Sequence, residues 1–491
     1  MDRFARALVY KTRRMYILIG AVAVVLGGTT AHAQEPAAPP PPEGASPPVA
    51  PLPEAAPASV PPAVDPALQG RVDALEKKTR ELERSLSRAE AEASAPRSTT
   101  TFQTDEGGFA VTSADRQYQV RFKGVLQVDG RRIFGDPTLG NSVDTFLVRR
   151  ARPILVGTVM GLVDFNFTPD FGNNTVALFD AYADIHPFPW LRLRVGKFKP
   201  PVGLERLQSD TDLTFMERSL SQNLSAQRDI GLQLYGDIAG GIVRYEADVL
   251  NGNPDNGNND IDSDHAKTFA GRLFLQPFKT PSLQSFGRLG LGIAAETGNE
   301  KGSATNTWLG SFKSVSQSTI FSYLATTPAA TVFSLGRHTR INPQLYYYLG
   351  PFGLLAEWVK EHQSIANSVG TGALNNSAGT VIADFVLGGD ASFEGVKPHK
   401  SLDLAAGGYG ALEIAARYNW LNIDHDAFPT AADPTKSVNR ARAFGVALNW
   451  QLSRTLKTGA DFEETWFNGG AKPPANRNTE KVGMARFQVA F

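Results

Sequence analysis

Three arginines stand within four residues, Arg149, Arg150 and Arg152 in FLVRRARPILVG. Guanidiniums this close repel one another unless anions or carboxylates sit between them. Their donor forks match pairs of oxyanion oxygens, so the cluster suits small anions. Pairing with Asp164, Asp180 and Asp184 is the plain structural alternative. A second basic set follows in WLRLRVGKFKPPVG and the stretch after it: Arg192, Arg194, Lys197, Lys199, Arg218 and Arg228. Arg121 and Lys123, in YQVRFKGVLQV, form a third. Between Pro200 and Asp229 no clean pattern survives, which predicts a long loop, and such loops are usually functional. This one carries Phe215, Met216 and Leu220 and is too apolar to stand in solvent. We expect it to fold inward and narrow whatever encloses it. Glu205, Asp210, Asp212, Glu217 and Asp229 are interspersed, so each of its bases has a competing structural role as a pinning ion pair.

Other chemistry finds little support. There is no cysteine among 491 residues, which removes disulfides and thiolate zinc sites. The seven histidines stand singly, without H-E-x-x-H or an i,i+4 pair. No G-x-S-x-G, P-loop or Rossmann glycine pattern appears, so no enzyme, metal or cofactor is expected. NGNPDNGNNDIDSDH offers Asp255, Asp260, Asp262 and Asp264 as calcium oxygens. It lacks the EF-hand spacing and reads better as a turn-rich external loop. Lysine plus arginine and aspartate plus glutamate both total 49, which is no footprint of a nucleic-acid binder.

The elements that hold these charges alternate with period two from about residue 98 to 491. In GIVRYEADVLNG, Val243, Tyr245, Ala247 and Val249 oppose Arg244, Glu246 and Asp248. In ALEIAARYNWLNID, Leu412, Ile414, Ala416, Tyr418 and Trp420 oppose Glu413, Arg417 and Asn419. Such strands need cover on the apolar face, from a second sheet or from lipid. Aromatics recur at strand ends, as in Tyr346-Tyr347-Tyr348, Trp358, Trp450 and Trp466, where membrane girdles require them. The chain closes on RFQVAF with a terminal aromatic. The predicted fold is all-β: a transmembrane antiparallel β-barrel over 98–491. At roughly 25 residues per strand, 394 residues give about 16 strands, enough to leave an aqueous channel.

The N-terminal part is of another kind. Residues 1–14 hold five bases and one acid, Met15 to Gly28 is apolar, and Ala31-His32-Ala33 fits a cleavage site. Residues 1–33 therefore read as a secretory signal peptide. Its loss leaves 44 bases against 48 acids, a net charge of −4. Residues 34–66 hold 13 of the 32 prolines and neither lysine nor arginine, and read as an extended spacer. Leu68, Val72, Leu75, Thr79, Leu82, Leu86, Ala89 and Ala93 then space as an a/d seam. This predicts a coiled-coil helix over 67–95 that associates with copies of itself, as dimer or trimer.

The run LRVGKFKPPVGLERLQSDTDLTFMERSL, with AQRDIGLQLYG, VLNG, GGYGALEIAARYNWL and FLVRRARP, resembles the phosphate-selective porin O/P family over about 115–491. The resemblance implies a 16-stranded trimeric outer-membrane porin that passes small anions, phosphate above all. Arg149, Arg150, Lys197, Lys199, Arg218 and Arg228 match the family's basic positions best. Expected partners are outer-membrane lipid, phosphate-like anions, two further copies of the chain and, through the spacer, the periplasmic cell wall. The 98–491 segment holds 37 bases and 38 acids, so any anion preference must come from local placement. The alternatives are a general or differently selective pore, or an envelope tether acting through the helix.

Overall fold

The computed structural model describes residues 66–94, 100–134, 143–225, 227–262, 265–472 and 474–491. The signal-peptide reading and nearly all of the spacer lie outside them. The helix α1, Pro66–Ser94, belongs largely to a unit of its own. Proline is tolerated in its first turn, where an amide hydrogen would find no helical partner. Leu75, Leu82 and Leu86 on the predicted seam are 63%, 62% and 59% exposed.

The second unit is a closed antiparallel barrel of 16 strands. They are β1 Gln119–Phe134, β2 Thr145–Val159, β3 Val163–Asp170, β4 Ala177–Phe188, β5 Leu191–Phe198, β6 Asp229–Ile238, β7 Val243–Leu250 and β8 Thr268–Leu275. There follow β9 Arg288–Lys301, β10 Phe333–Leu349, β11 Phe352–Ala366, β12 Thr371–Leu387, β13 Ala411–Asn422, β14 Val438–Gln451, β15 Leu456–Gly469 and β16 Glu480–Ala490. Neighbours in sequence pair throughout, and β16 closes on β1 from Lys481↔Phe134 to Ala490↔Val125. The alternation decides the faces. Along β14, Phe444, Val446, Leu448 and Trp450 are exposed outward, while the residues between them are buried.

The closing seam depends on one glycine. Gly124 and Phe491 exchange main-chain hydrogen bonds of 2.9 and 3.0 Å. A Cβ on Gly124 would lie 2.7 Å from the Phe491 ring. Phe109 and Phe122 pack around that ring at 6.0 and 6.4 Å. A hairpin, Thr101–Asp105 with Gly108–Thr112, pairs with the part of β1 that β16 does not reach.

An even strand count puts both barrel ends at one rim. The lumen is not an open tube. Residues 199–228, between β5 and β6, fold into it as the loss of alternation predicts, with a helical turn Leu204–Leu207 and a 3₁₀ turn Leu220–Leu224. Leu204 and Phe215 pack against Leu355, Ile382 and Val386, and Leu220 and Leu224 against Val359, Leu374 and Leu421. The inward faces of β11, β12 and β13 are thus partly apolar because a loop, not water, covers them. Two further segments enter. Residues 302–332 reach in from the loop rim, with Phe312 and Phe321 stacked at 5.2 Å. Residues 388–410 enter from the opposite rim and stack Phe393 on Tyr346 at 5.2 Å.

Candidate functional site: the lumen and its cationic wall

Hydrogen bonds fix the 199–228 loop to one wall. Gly203 N–H donates to Asn342 Oδ1 (2.9 Å), Leu204 N–H to Glu357 Oε2 (2.6 Å), Met216 N–H to Asp461 Oδ2 (2.8 Å) and Leu220 N–H to Asn419 Oδ1 (3.1 Å). Gly203 turns the chain at φ 89°, a conformation that favours glycine. Arg417 donates to the Glu217 carbonyl (2.8 Å), pairs with Glu463 (2.6 Å) and lies 4.1 Å over the Phe215 ring. These anchors hold the loop against β10 to β15, ion pairs from Arg149, Arg150 and Arg152 of β2 reach it from the other side, and the cavities lie between it and β2 to β9.

That side carries the cations. A bulge in β2 sets Gln127 opposite Arg150 and Val128 opposite Val148, so Arg149 is the extra residue. Strict alternation would send Arg149 and Arg150 to opposite faces; the bulge brings both inward. Arg149 grips Glu217 with two bonds of 2.6 and 3.0 Å, and Arg131 meets the same carboxylate at 2.5 Å. Arg150, Arg152 and Arg218 all converge on Asp210, and Arg152 also pairs with Asp170 at 2.6 Å. Arg131 also lies 3.9 Å from Asp129, which Arg486 holds at 2.7 Å, so six arginines share four carboxylates. The predicted partners of Arg149, Arg150 and Arg152 are not Asp164, Asp180 or Asp184, which hold Arg192, Arg228 and Arg194 instead.

Arg149, Arg150, Arg152 and Arg218, with Asp170, Asp210 and Glu217, line an outer cavity of about 480 Å³. Its described lining carries seven cationic side chains, Arg206 and Lys313 included, against four carboxylates. Arg152 and Arg228 both lie against Phe179, at 4.2 and 4.9 Å from the ring. Arg228 holds Asp180 through bonds of 2.9 and 3.2 Å. Arg228 lines the outer cavity and Asp180 an inner one of about 460 Å³, so their pair stands between the two. Lys199 also borders the inner cavity. Its ammonium donates to the carbonyls of Gln208 (2.7 Å) and Leu207 (3.5 Å), with no carboxylate within 4 Å among the described residues. Burial, then repulsion from Arg228 and Arg218, pushes Lys199 well below the usual lysine range.

The inner cavity continues the series with Arg194, Arg244 and Arg272. Arg194 lies 4.4 Å over Tyr182 and Arg272 4.1 Å over Phe274. Arg244 and Arg272 share Glu246, at 2.9 and 3.3 Å. Gln276, Tyr346, Phe393 and Glu394 are common to this cavity and to one of about 550 Å³ below it, where Lys279 and Arg288 follow. The Gln208 amide donates to the Phe393 carbonyl at 3.0 Å, so the inward loop and the 388–410 segment meet there. The arrangement offers an anion successive, partly neutralised guanidiniums.

Of the eleven predicted pathway residues, Arg149, Arg150, Arg152, Arg218 and Arg228 line the outer cavity and Arg194 and Lys199 the inner one. Four stand apart. Arg121 holds Asp105 of the hairpin at 2.6 Å. Arg192 pairs with Asp184 and Asp164 at 3.3 and 3.4 Å. Lys197 is 2% exposed and binds Asp260 (2.5 Å) and the Asn258 carbonyl, closing an outer loop. Lys123 has no ion-pair partner among the described residues and lines none of these cavities. The calcium alternative is met by cations: Asp255 pairs with Arg340, Asp260 with Lys197 and Asp262 with Lys267. Sequence reasoning missed Arg131 and Lys313 as lumen groups, and the 388–410 segment altogether.

A lipid-facing barrel with a charged, loop-narrowed lumen is a porin of the outer membrane. The model of the family "Phosphate-selective porin O and P" matches residues 120–491, and the chain belongs to that family. Porin O of Pseudomonas aeruginosa is 25% identical over 405 residues, covering 73% of this chain and 85% of that protein. Among solved structures, the outer membrane channel DcaP of Acinetobacter baumannii aligns at 10% identity and TM-score 0.49, over 78% of this chain and 100% of that one. OmpT, an outer membrane protein of Vibrio cholerae, aligns at 10% identity and TM-score 0.46, over 76% of this chain and 98% of that one.

Proposed function

We propose that this porin is a passive channel for small anions, phosphate among them, and performs no chemical step. The observation that carries the reading is the one-sided cationic series from Arg149 to Arg288, with seven cations against four carboxylates at its entrance. Partial pairing keeps each site weak enough to release what it binds, as conduction requires. The family description names phosphate, and an arginine fork fits a phosphate better than a monoatomic ion. The test is single-channel chloride current with phosphate added. Block by phosphate is the expected result; a chloride current indifferent to phosphate overturns the selectivity.

We also infer a homotrimer. The eight-residue strands β5, β7 and β8 climb roughly 21 Å at a tilt of about 40°, short of an apolar band of about 25 Å. A neighbouring copy against that low wall would cover what lipid does not. The exposed leucine seam of α1 would add a three-stranded coiled coil, with the proline-rich spacer reaching toward the cell wall. A monomeric mass for the folded protein in detergent would overturn the assembly.

A further inference from the structure

The outward surface of β14 changes character near its outer end. Below lie Phe444, Val446, Leu448 and Trp450, all exposed. Above them, on the same face, stand Arg442 and Arg440. Arg442 is nine residues and Arg440 eleven from Gln451 at the rim that carries the barrel ends. At about 3.4 Å per residue and a tilt of roughly 40°, these stand about 23 and 29 Å above that rim. They thus straddle the upper edge of an apolar band of about 25 Å. The neighbours agree. Arg442 lies between Trp420 of β13 and Trp466 of β15, and Arg440 between Asn422 and Asn468. Tryptophans mark the membrane–water interface.

Neither arginine has a carboxylate within 4 Å among the described residues. Arg440 Nε donates to Asn422 Oδ1 at 2.9 Å, which orients its fork. Of the three acids of the adjoining outer loop, Asp424 accepts from Asn375 N–H at 2.7 Å, Asp433 pairs with Lys436 at 3.7 Å, and Asp426 forms no ion pair within 4 Å with either arginine. The two Cα atoms lie about 7 Å apart along one face, which lets one tetrahedral oxyanion sit between both guanidiniums. The 14-residue strands β14 and β15 span the full apolar band, so this wall faces lipid.

We propose that Arg440 and Arg442 form a site for the phosphate group of an outer-leaflet glycolipid, with Trp420 and Trp466 seating its uppermost acyl carbons and Asn422 and Asn468 its sugar hydroxyls. The site is on the outer wall and independent of what the lumen conducts. The test is native mass spectrometry of the full-length protein in detergent, titrated with lipid A or with enzymatically dephosphorylated lipid A. The phosphorylated form should bind about tenfold tighter. Arg440→Gln with Arg442→Gln should abolish that preference at unchanged single-channel conductance, which certifies the fold. Arg440→Lys with Arg442→Lys should keep part of it. Lys481→Gln, removing an outward cation that Glu464 already neutralises at 3.5 Å, should leave it intact. Equal binding of the two lipids, or a preference that survives the double glutamine change, overturns the proposal.

Discussion

Asp210→Asn separates an anion-selective lumen from one whose arginines are merely structural. Asp210 is buried and takes Arg150, Arg152 and Arg218 at once. The amide keeps the shape and removes one negative charge, so three cations that shared one carboxylate share none. A permeating anion about 8 Å away gains about 0.5 kcal/mol at the dielectric of water and about 2 kcal/mol at an effective value near 20. At 1.36 kcal/mol per decade, that is roughly a twofold to thirtyfold rise in affinity. Stability moves the other way, since breaking a buried ionic cluster costs about 3–5 kcal/mol. The assay is phosphate titration of single-channel chloride current, with the denaturation temperature of the same preparation. The expected result is block at lower phosphate concentration, attenuated by salt, in a less stable barrel. Asp210→Glu should change neither greatly. Unchanged or weakened block in Asp210→Asn would refute the reasoning, because it would mean that no anion senses these guanidiniums.

Three further outcomes are expected. Lys199 is charged below its depressed pKa and neutral above it, so anion preference should fall as pH rises, well before ordinary lysines titrate near 10.5. Lys199→Arg should flatten that profile, and an identical profile in wild type and variant would contradict it. Glu357→Ala strips the acceptor from Leu204 N–H and the Gln222 amide, each worth about 1–3 kcal/mol when left unsatisfied. Conductance should rise and selectivity drop as the loop loosens, whereas an unaltered current would show the loop held without it. Gly124→Val places a Cβ against the Phe491 ring, so the yield of heat-modifiable folded barrel should collapse on gels, while Gly130→Ala, facing only the movable Phe146 ring, should be mild.

The barrel was legible because lipid imposes a strict alternation on the outward residues, as in β13 and β14. The site was legible in part, for identifiable reasons. Period-two reading cannot place two consecutive arginines on one face, and it is the bulge at Arg149 that does so. Partner assignment failed for the same cluster because its carboxylates, Asp210 and Glu217, are about 60 residues away in a loop whose path alternation does not encode. A signal for that path was present: β12 reads Val381-Ile382-Ala383-Asp384-Phe385-Val386-Leu387, apolar on both faces, which marks a wall covered from inside. The 388–410 segment mixes Phe393, Val396, Leu402 and Leu404 with glycines and charges in no regular spacing, which does not separate a turn that enters the lumen from one that does not. Lys197 and Lys199 share a face and a residue type, yet one is consumed by Asp260 and the other is held by carbonyls alone. Only tertiary structure tells them apart.

The central claim is that charge placement along one wall, not net charge, makes this lumen prefer anions. Zero-current potential across a tenfold potassium chloride gradient, measured on the reconstituted full-length protein at neutral pH, tests it most directly. A potential on the chloride side of zero is expected, moving toward zero in Arg149→Gln with Arg228→Gln. A potential on the potassium side, or one at zero that neither substitution shifts, would contradict it.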